Sequence, residues 1–386
     1  MRCAGPSFPA HRRVGAELIG RTQAVEWRAL FSHPLARVGP MLRFTAGRTP
    51  HSRIHSKSTR RLATALAVPV LLLGAAACGS DDGGSGSSSG SGKISVEGAF
   101  GQPPKISVSK DAKAPDEIKV NTVTEGKGTA VAKGDFVRFD YAVQTTKEGM
   151  TPQGSWAEAQ GGSAKGPRRS MVQQVGGAGS VPASVFDKLV GHKAGSRVWA
   201  EGTVKSMYGA QLPQNGLNPD DGLIWVIDVV NAAKIDPKGE AKGEQAKPEA
   251  GMPEVKVEPG KAAEITVPKG EKPPKELKEQ VLIKGDGPEL KAGDGLVGQY
   301  TGVFWDGGKK FDASWDHKEA PGATGFQIGT SSVIAGWDKG LVGKHVGDRV
   351  LLVIPPDLAY GDTPPPGSNI PKGATLVFVV DIVGKV

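Results

Sequence analysis

Three stretches of the C-terminal third are dominated by apolar and β-branched residues: Leu296–Gly302, Arg349–Ile354 and Thr375–Val383, the last bounded by Gly373 and Gly384. Such side chains fit a pleated, buried surface, so each stretch is expected to be a strand. Between the first two, Val333, Trp337 and Leu341 recur every four residues and would share one helix face. Several strands around one short helix predict an antiparallel α+β domain. Elsewhere the pattern fails. Gly79–Gly92 is almost wholly Gly, Ser and Asp, a flexible spacer. Asp236–Ala263 is rich in Lys, Glu, Pro, Gly and Ala and has no aromatic residue, which predicts a linker too polar to build a core. The expected organisation is therefore a leader at 1–77, a spacer at 78–103, a domain at 104–234, a linker at 235–262 and a second domain at 263–386.

The two domains repeat each other. Val108-Ser109-Lys110 matches Val267-Pro268-Lys269, Gly126-Lys127-Gly128 matches Gly285-Asp286-Gly287, and Lys133-Gly134-Asp135 matches Ala292-Gly293-Asp294. Pro115 with Pro274 and Tyr141 with Tyr300 keep the same offset of 159. Leu189-Val190-Gly191 with Leu341-Val342-Gly343, Arg197-Val198 with Arg349-Val350, and Tyr208-Gly209 with Tyr360-Gly361 hold an offset of 152. A period this long marks a duplicated domain, not a solenoid.

The formal charge of +8 raises the question of a nucleic-acid partner. Residues 1–77 carry twelve Lys/Arg against two Asp/Glu, a balance of +10, so the remainder stands at −2. The part that can fold has no basic footprint, and nucleic acid is not an expected partner. In the leader, Lys57, Arg60 and Arg61 precede sixteen uncharged residues, Leu62–Ala77, and then Cys78. Sixteen fall short of the roughly 20 that a spanning helix needs but suit the apolar segment of a signal peptide. Leu71-Leu72-Leu73-Gly74-Ala75-Ala76-Ala77-Cys78-Gly79 resembles a bacterial lipobox, with Ala75 where a larger aliphatic residue is usual. That likeness implies a lipid on Cys78 and a membrane anchor on the extracytoplasmic face of the bacterial cell membrane. The other cysteine, Cys3, lies in the leader, so no disulfide is expected. Residues 1–56 are Arg-rich and without periodicity, and Met41 is an alternative start; they are set aside from fold reasoning.

In the second domain several signatures follow one another: Gln299-Tyr300-Thr301-Gly302, Lys310-Phe311-Asp312-Ala313-Ser314, Val333-Ile334-Ala335-Gly336-Trp337, Leu358-Ala359-Tyr360-Gly361 and Ala374-Thr375-Leu376-Val377-Phe378. In their order and spacing they resemble the FKBP-type peptidyl-prolyl cis/trans isomerases. The resemblance implies two FKBP-like domains, each an antiparallel half β-barrel wrapped on a short helix. It implies a peptidyl-prolyl isomerase whose pocket takes proline-containing polypeptides, here exported ones, and FK506-like macrolides. Carried over position by position, Trp337 would form the pocket floor. Tyr300, Phe311, Val333, Ile334, Tyr360 and Phe378 would line the walls, with Asp312 at one edge and Ile370 in a flap. The Ile334 N–H and the Tyr360 hydroxyl would donate to ligand carbonyls. His317 and Thr324 stand where the family often has Arg and an aromatic, and the loop Asp362–Pro371 holds Pro364-Pro365-Pro366 and is one residue longer than usual.

Rotation about an X-Pro bond asks for no nucleophile, metal or cofactor. It asks for loss of amide resonance, a barrier of roughly 18–20 kcal/mol. A dry aromatic bowl disfavours the polar planar amide, and placed donors hold its neighbours while the bond turns. Taken singly, Trp337, Tyr300 and Tyr360 would be read as core, Asp312 as a turn residue and His317 as surface; only the ordered set makes a pocket. His192, His317 and His345 are scattered and form no metal-binding spacing.

The first domain keeps Tyr141, Tyr208 and Trp225 where the second has Tyr300, Tyr360 and Phe378, and Trp156 is expected to replace Phe311. Val185 stands opposite Trp337, and Pro182 opposite Ile334 has no N–H to give. This copy is therefore expected to be weak or inactive, a docking module for unfolded chains or a spacer. The rival readings of the whole chain are a non-enzymatic peptide holdase on the same frames and an extracellular adhesion module. An isomerisation assay separates the first rival, and macrolide binding the second.

Overall fold

The computed structural model describes residues 93–146, 153–156, 168–210, 212, 217–317 and 322–386, and within them one architecture is built twice. The leader, Cys78 and the spacer up to residue 92 lie outside the described residues. The first copy comprises β1 (Ile94–Glu97), β2 (Lys105–Val108), β3 (Lys119–Thr124), β4 (Phe136–Thr145), β5 (Gln153–Gly154), β6 (Met171–Gln174), helix α1 (Ala183–Phe186), β7 (Arg197–Thr203), helix α2 (Val204–Tyr208) and β8 (Gly222–Ala233). The second comprises β9 (Glu254–Lys256), β10 (Glu264–Thr266), β11 (Lys278–Ile283), β12 (Gly295–Phe304), β13 (Lys310–Ala313), β14 (Thr324–Gln327), helix α3 (Ala335–Leu341), β15 (Arg349–Ile354) and β16 (Leu376–Lys385).

The main sheets run β3-β7-β8-β4-β5 and β11-β15-β16-β12-β13, with β6 also paired to β4 and β14 to β12. These are the same antiparallel order and the same connections, so the duplication legible in the sequence extends to topology. Strands β15 and β16 are apolar almost throughout because both of their faces are covered. Val350, Leu352 and Ile354, with Leu376, Phe378, Val380 and Ile382, point to the core around the helix. The alternating residues Leu351, Val353, Val377 and Val379 point the other way, onto Val255 and Ile265 of the β9–β10 hairpin. In the first copy Leu223, Trp225, Ile227 and Val229 face the helix, while Ile224 and Val226 lie under Ile94 and Val96 of the β1–β2 hairpin. Each side chain buried this way is worth about 1.5–3 kcal/mol relative to exposure.

Those hairpins correct the expected domain limits. Strand β1 falls inside the stretch read as spacer, and β9 inside the stretch read as linker. The segment after Asp236 is laid along the second sheet. The Ala241 N–H donates to Asp381 Oδ2 at 2.9 Å, Arg349 Nη1 donates to Gln245 Oε1 at 3.0 Å, and the Ala246 N–H donates to the Leu282 carbonyl at 2.7 Å. Polarity misled the sequence reading because this segment is held through its backbone and polar side chains, with Ala241, Val255 and Met252 supplying the few apolar contacts. The first copy does the same with less chain: the Gly101 N–H donates to Asp228 Oδ2 at 2.7 Å, and Arg197 donates to the Gly98 and Gln102 carbonyls. Beneath each cover lies a bidentate ion pair, Arg197–Asp228 and Arg349–Asp381, with all four N–O distances between 2.6 and 2.8 Å.

All described residues fall in one compact unit, where Phe136 of the first copy meets Val297 and Val386 of the second.

Candidate functional site

Helix α3 is short and its entry is shaped by one carboxylate. Asp338 accepts from the Gly329 N–H at 2.6 Å and the Ser331 N–H at 2.7 Å, drawing the preceding loop over the first turn. Burial raises the Asp338 carboxyl above its ordinary range, opposed by these same N–H groups. Ser331 takes a φ of 59°, and the chain then runs extended through Ile334, the N-cap, at φ −60° and ψ 146°. Val333 therefore precedes the helix and does not extend its apolar face as the four-residue spacing had suggested; Trp337 and Leu341 alone keep that face. Among the described residues no acceptor takes the Ile334 N–H, which lies before the first intrahelical bonds, Trp337 N–H and Asp338 N–H to the Ile334 carbonyl.

Trp337 is wholly buried, and three rings meet it edge-on: Tyr300 at 5.7 Å, Phe326 at 5.2 Å and Phe378 at 5.3 Å between centroids. Edge-to-face contacts of this sort add about 0.5–1.5 kcal/mol each beyond area burial. Phe311 stands edge-on to Phe378 at 5.5 Å and stacks on Phe304 at 4.9 Å. Val333, Ile334, Tyr360 and Ile370 belong to the same buried cluster, with Phe311 partly exposed at its margin. The structure thus brings the nine residues singled out in the second domain to one region, eight by apolar packing and Asp312 by a hydrogen bond. Tyr300 donates its hydroxyl to Asp312 Oδ2 at 2.5 Å. Tyr360 is set by a turn in which the Gly361 N–H closes on the Pro356 carbonyl at 2.9 Å, Gly361 having φ 53°. Burial, then the Asp312 charge, raises both phenols, Tyr300 well above the ordinary range and Tyr360 also upward, so both stay neutral hydroxyls at physiological pH.

Two residues of this region escaped the sequence reading. Phe326 braces Tyr300, at 5.9 Å, as well as Trp337; it lies two places after Thr324, where the missing aromatic had been noted. His317, read as surface, is only 8% exposed, and its Nε2 lies 3.1 Å from Asp312 Oδ1. A histidine five residues after an aspartate carries no spacing signal by itself; the turn Ser314–Asp316 folds it back.

In the first copy Pro182 caps α1 as Ile334 caps α3, and Val185 fills the place of Trp337. Phe186 and Phe139, 4.9 Å apart, occupy the space inside. Tyr141 and Trp225 remain together at 5.7 Å. Strand register corrects the expectation for Trp156. The Tyr141 N–H donates to Ser155 Oγ as the Tyr300 N–H donates to Ser314 Oγ, so Trp156 corresponds to Trp315 and not to Phe311. It packs on the outer face with Ile94 and Trp199. By the same register Gln153 stands where Asp312 does.

The second copy is an antiparallel sheet packed on one short helix, with a cluster of aromatic rings around Trp337. The model of the family described as FKBP-type peptidyl-prolyl cis-trans isomerase matches residues 287–383. The chain is 44% identical over 120 residues to an FK506-binding protein of Streptomyces anulatus, covering 31% of this chain and 94% of the relative. It is 40% identical over 111 residues to a probable FK506-binding protein of Corynebacterium glutamicum, covering 28% and 87%. Among solved structures, FkpA from Escherichia coli is 39% identical, with a TM-score of 0.26, over 31% of this chain and 52% of that one. The chain belongs to the FKBP-type peptidyl-prolyl cis-trans isomerase family.

Proposed function

We propose that the second domain catalyses X-Pro rotation in exported polypeptides through the bowl lined by Tyr300, Phe311, Val333, Ile334, Tyr360, Ile370 and Phe378 over Trp337. The observation that carries this reading is the convergence of three rings, Tyr300, Phe326 and Phe311, on the Trp337–Phe378 pair beside an Ile334 N–H that no described group uses. A proline ring seated there loses its water. The planar amide, the more polar form, is disfavoured relative to the twisted one, while the Ile334 N–H and the Tyr360 hydroxyl hold the flanking carbonyls. Each ~1.4 kcal/mol of that preference gives about tenfold in rate. Macrolides of the FK506 type compete for the same bowl. The test is a protease-coupled isomerisation assay of the full chain on a Leu-Pro peptide, with and without FK506. Catalysis abolished by the macrolide is expected; catalysis untouched by saturating macrolide moves the chemistry elsewhere.

The protein works outside the cell membrane, tethered by a lipid on Cys78, with the Gly/Ser spacer holding the domains off the surface. The leader order of basic, apolar, small residues and Cys supports this. Among the described residues no helix is long and apolar enough to cross a membrane. Fractionation of cells that express the Cys78→Ala chain, with mass analysis of the parent, checks the tether. The parent is expected in the membrane with a lipid mass, and the variant is expected to be released. The first domain holds unfolded client chains without turning their proline bonds, a reading favoured by Tyr141 and Trp225 surviving where Trp337, the Ile334 donor and Asp312 have no counterpart.

A further inference from the structure

Arg138 breaks the likeness of the two copies where they meet. It stands on β4 at the offset of 159 from Val297 on β12. The register agrees: Arg138 pairs with Val172 of β6, and Val297 with Gly325 of β14. Val297 is wholly buried with Phe136 and Val386, whereas Arg138 is a half-buried cation. Its Nη1 donates to the Gly293 carbonyl, while its Nε is buried with no acceptor among the described residues. No carboxylate pairs with it among those residues either. Asp140 accepts from Arg168 at 2.9 Å and from Ser170 Oγ at 2.7 Å, and Asp294 is held by Lys385 at 2.6 Å. Across the seam Arg169 and Asp338 offset each other. Burial lowers the Arg138 guanidinium from its ordinary value, and Asp294 and Asp140 counter that only in part. An arginine keeps its charge in a protein, so one positive charge is left over. Beside it lies a cleft of about 330 Å³, walled by Arg138, Arg168 and Val230 of the first copy and Ala292, Gly329 and Thr330 of the second.

We propose that this cleft binds a carboxylate on a short apolar stem, such as a glutamate side chain or a small aliphatic acid, with Arg138 as its counter-ion. A planar guanidinium offers N–H donors in the fork that a carboxylate matches. A single negative charge is the one that fits. Asp140 and Asp294 both act on Arg138 through space, so a dianion such as phosphate meets more repulsion than a carboxylate does. Val230 and Ala292 give the stem an apolar wall. The cleft is several times the roughly 30 Å³ that one water takes up in the liquid, and it lies at the lower end of small-molecule pockets. Val297 in the second copy removes the cation from the corresponding position, so the site exists once.

The experiment titrates the nitrogen-15-labelled full chain with sodium butyrate, with neutral butyramide, and with an acetylated and amidated Gly-Glu-Gly peptide, at ionic strength held constant with sodium chloride. The readout is the amide resonances of Gly293, Gly329 and Thr330 and the Nε–H resonance of Arg138. Saturable shifts centred on this set are expected from butyrate or from the peptide, and none from butyramide. Butyrate binding names a free acid as the source; peptide binding alone names a polypeptide. In Arg138→Val, which copies Val297, affinity is expected to fall roughly tenfold or more with the loss of a charge-assisted hydrogen bond. That variant is expected to fold at least as stably as the parent, since it removes a buried charge. The contrast between butyrate and butyramide in the parent holds without any variant. No saturable shift from either carboxylate, equal shifts from butyramide, or unchanged affinity in a folded Arg138→Val chain overturns the proposal. Shifts that chloride alone reproduces reduce the site to an adventitious ion only and overturn it as well.

Discussion

At the start of the central helix the two copies part company over one backbone group. Ile334 and Pro182 hold the same N-cap position with nearly the same backbone, φ −60° and ψ 146° against φ −54° and ψ 136°. One offers an N–H and the other a ring. Three residues on, Trp337 faces Val185, and across the sheet Asp312 faces Gln153 in register. The frame around these positions is unchanged: the sheet order, the outer hairpin and the buried Arg–Asp pair all recur. The lesson is that the fold is specified by the strands, their cover and the ion pair. The side chains around the helix start are a separate layer, which differs between the copies while the frame beneath stays the same.

That separation predicts where the largest losses fall. Arg349→Met and Arg197→Met each strand a buried carboxylate, and each is expected to cost about 3–5 kcal/mol of stability in its own copy, read by denaturant unfolding. Trp337→Ala is expected to cost a similar 3–5 kcal/mol through the cavity it opens and to abolish catalysis as well. Val185→Ala should cost about 1.5–2 kcal/mol and leave catalysis alone. Equal catalytic losses from the Trp337 and Val185 variants would mean that both copies turn proline bonds.

Alkaline pH is expected to strain the second copy next. In the unfolded chain Tyr300 and Tyr360 ionise near pH 10. In the fold both are held neutral to higher pH, chiefly by burial and then by the Asp312 charge. Folded phenols raised in this way contribute stability that is complete below about pH 10 and lost as pH climbs beyond it. The loss is expected at about 1.4 kcal/mol per phenol for each further pH unit. Unfolding midpoints of the parent and of Tyr300→Phe between pH 9 and 11.5 test this; a parent that does not weaken more steeply than the variant contradicts it.

Much of this is legible in the amino-acid sequence alone. The strands were readable because β15 and β16 are apolar on both faces, which leaves long β-branched runs. The duplication shows through constant offsets, and eight residues of the region around Trp337 through ordered motifs. What stayed hidden depends on contacts that leave no periodic trace. The covering segments after Asp236 and around Gly98–Gln102 are polar and bind through backbone groups, so composition presented them as linkers. His317 comes to Asp312 through a turn, and Trp156 reaches the outer face through a register that only strand pairing reveals.

Smaller effects sharpen the comparison at single atoms. Ile334→Pro copies the first domain's cap into the second, and the native φ of −60° already suits a proline ring. The domain is expected to stay folded while losing one donor, worth about 0.5–1.5 kcal/mol, or roughly tenfold or less in kcat/KM. Pro182→Ile in the first copy restores that N–H but neither the tryptophan floor nor the carboxylate, and is expected to add no measurable activity.

The mildest change asks whether any proton moves. Asp312→Asn copies Gln153 in kind, an amide for a carboxylate, and keeps a partner for the Tyr300 hydroxyl. If Asp312 only shapes and charges the rim, kcat is expected to change by less than about threefold. It is also expected to stay level from pH 5.5 to 8.5, because twisting an amide forms and breaks no bond to hydrogen. KM should shift modestly, since the groups that donate to the peptide carbonyls lose a neighbouring charge. A general base in the same position would behave otherwise. Its removal would lower kcat by about a hundredfold or more, and the parent profile would follow a bell set by its titration. Steady-state rates of parent and variant across that range, with folding verified by far-ultraviolet circular dichroism, separate the two. A bell-shaped kcat, or a folded Asp312→Asn chain slowed a thousandfold, would make Asp312 a proton carrier and end the account of catalysis by desolvation and placed donors.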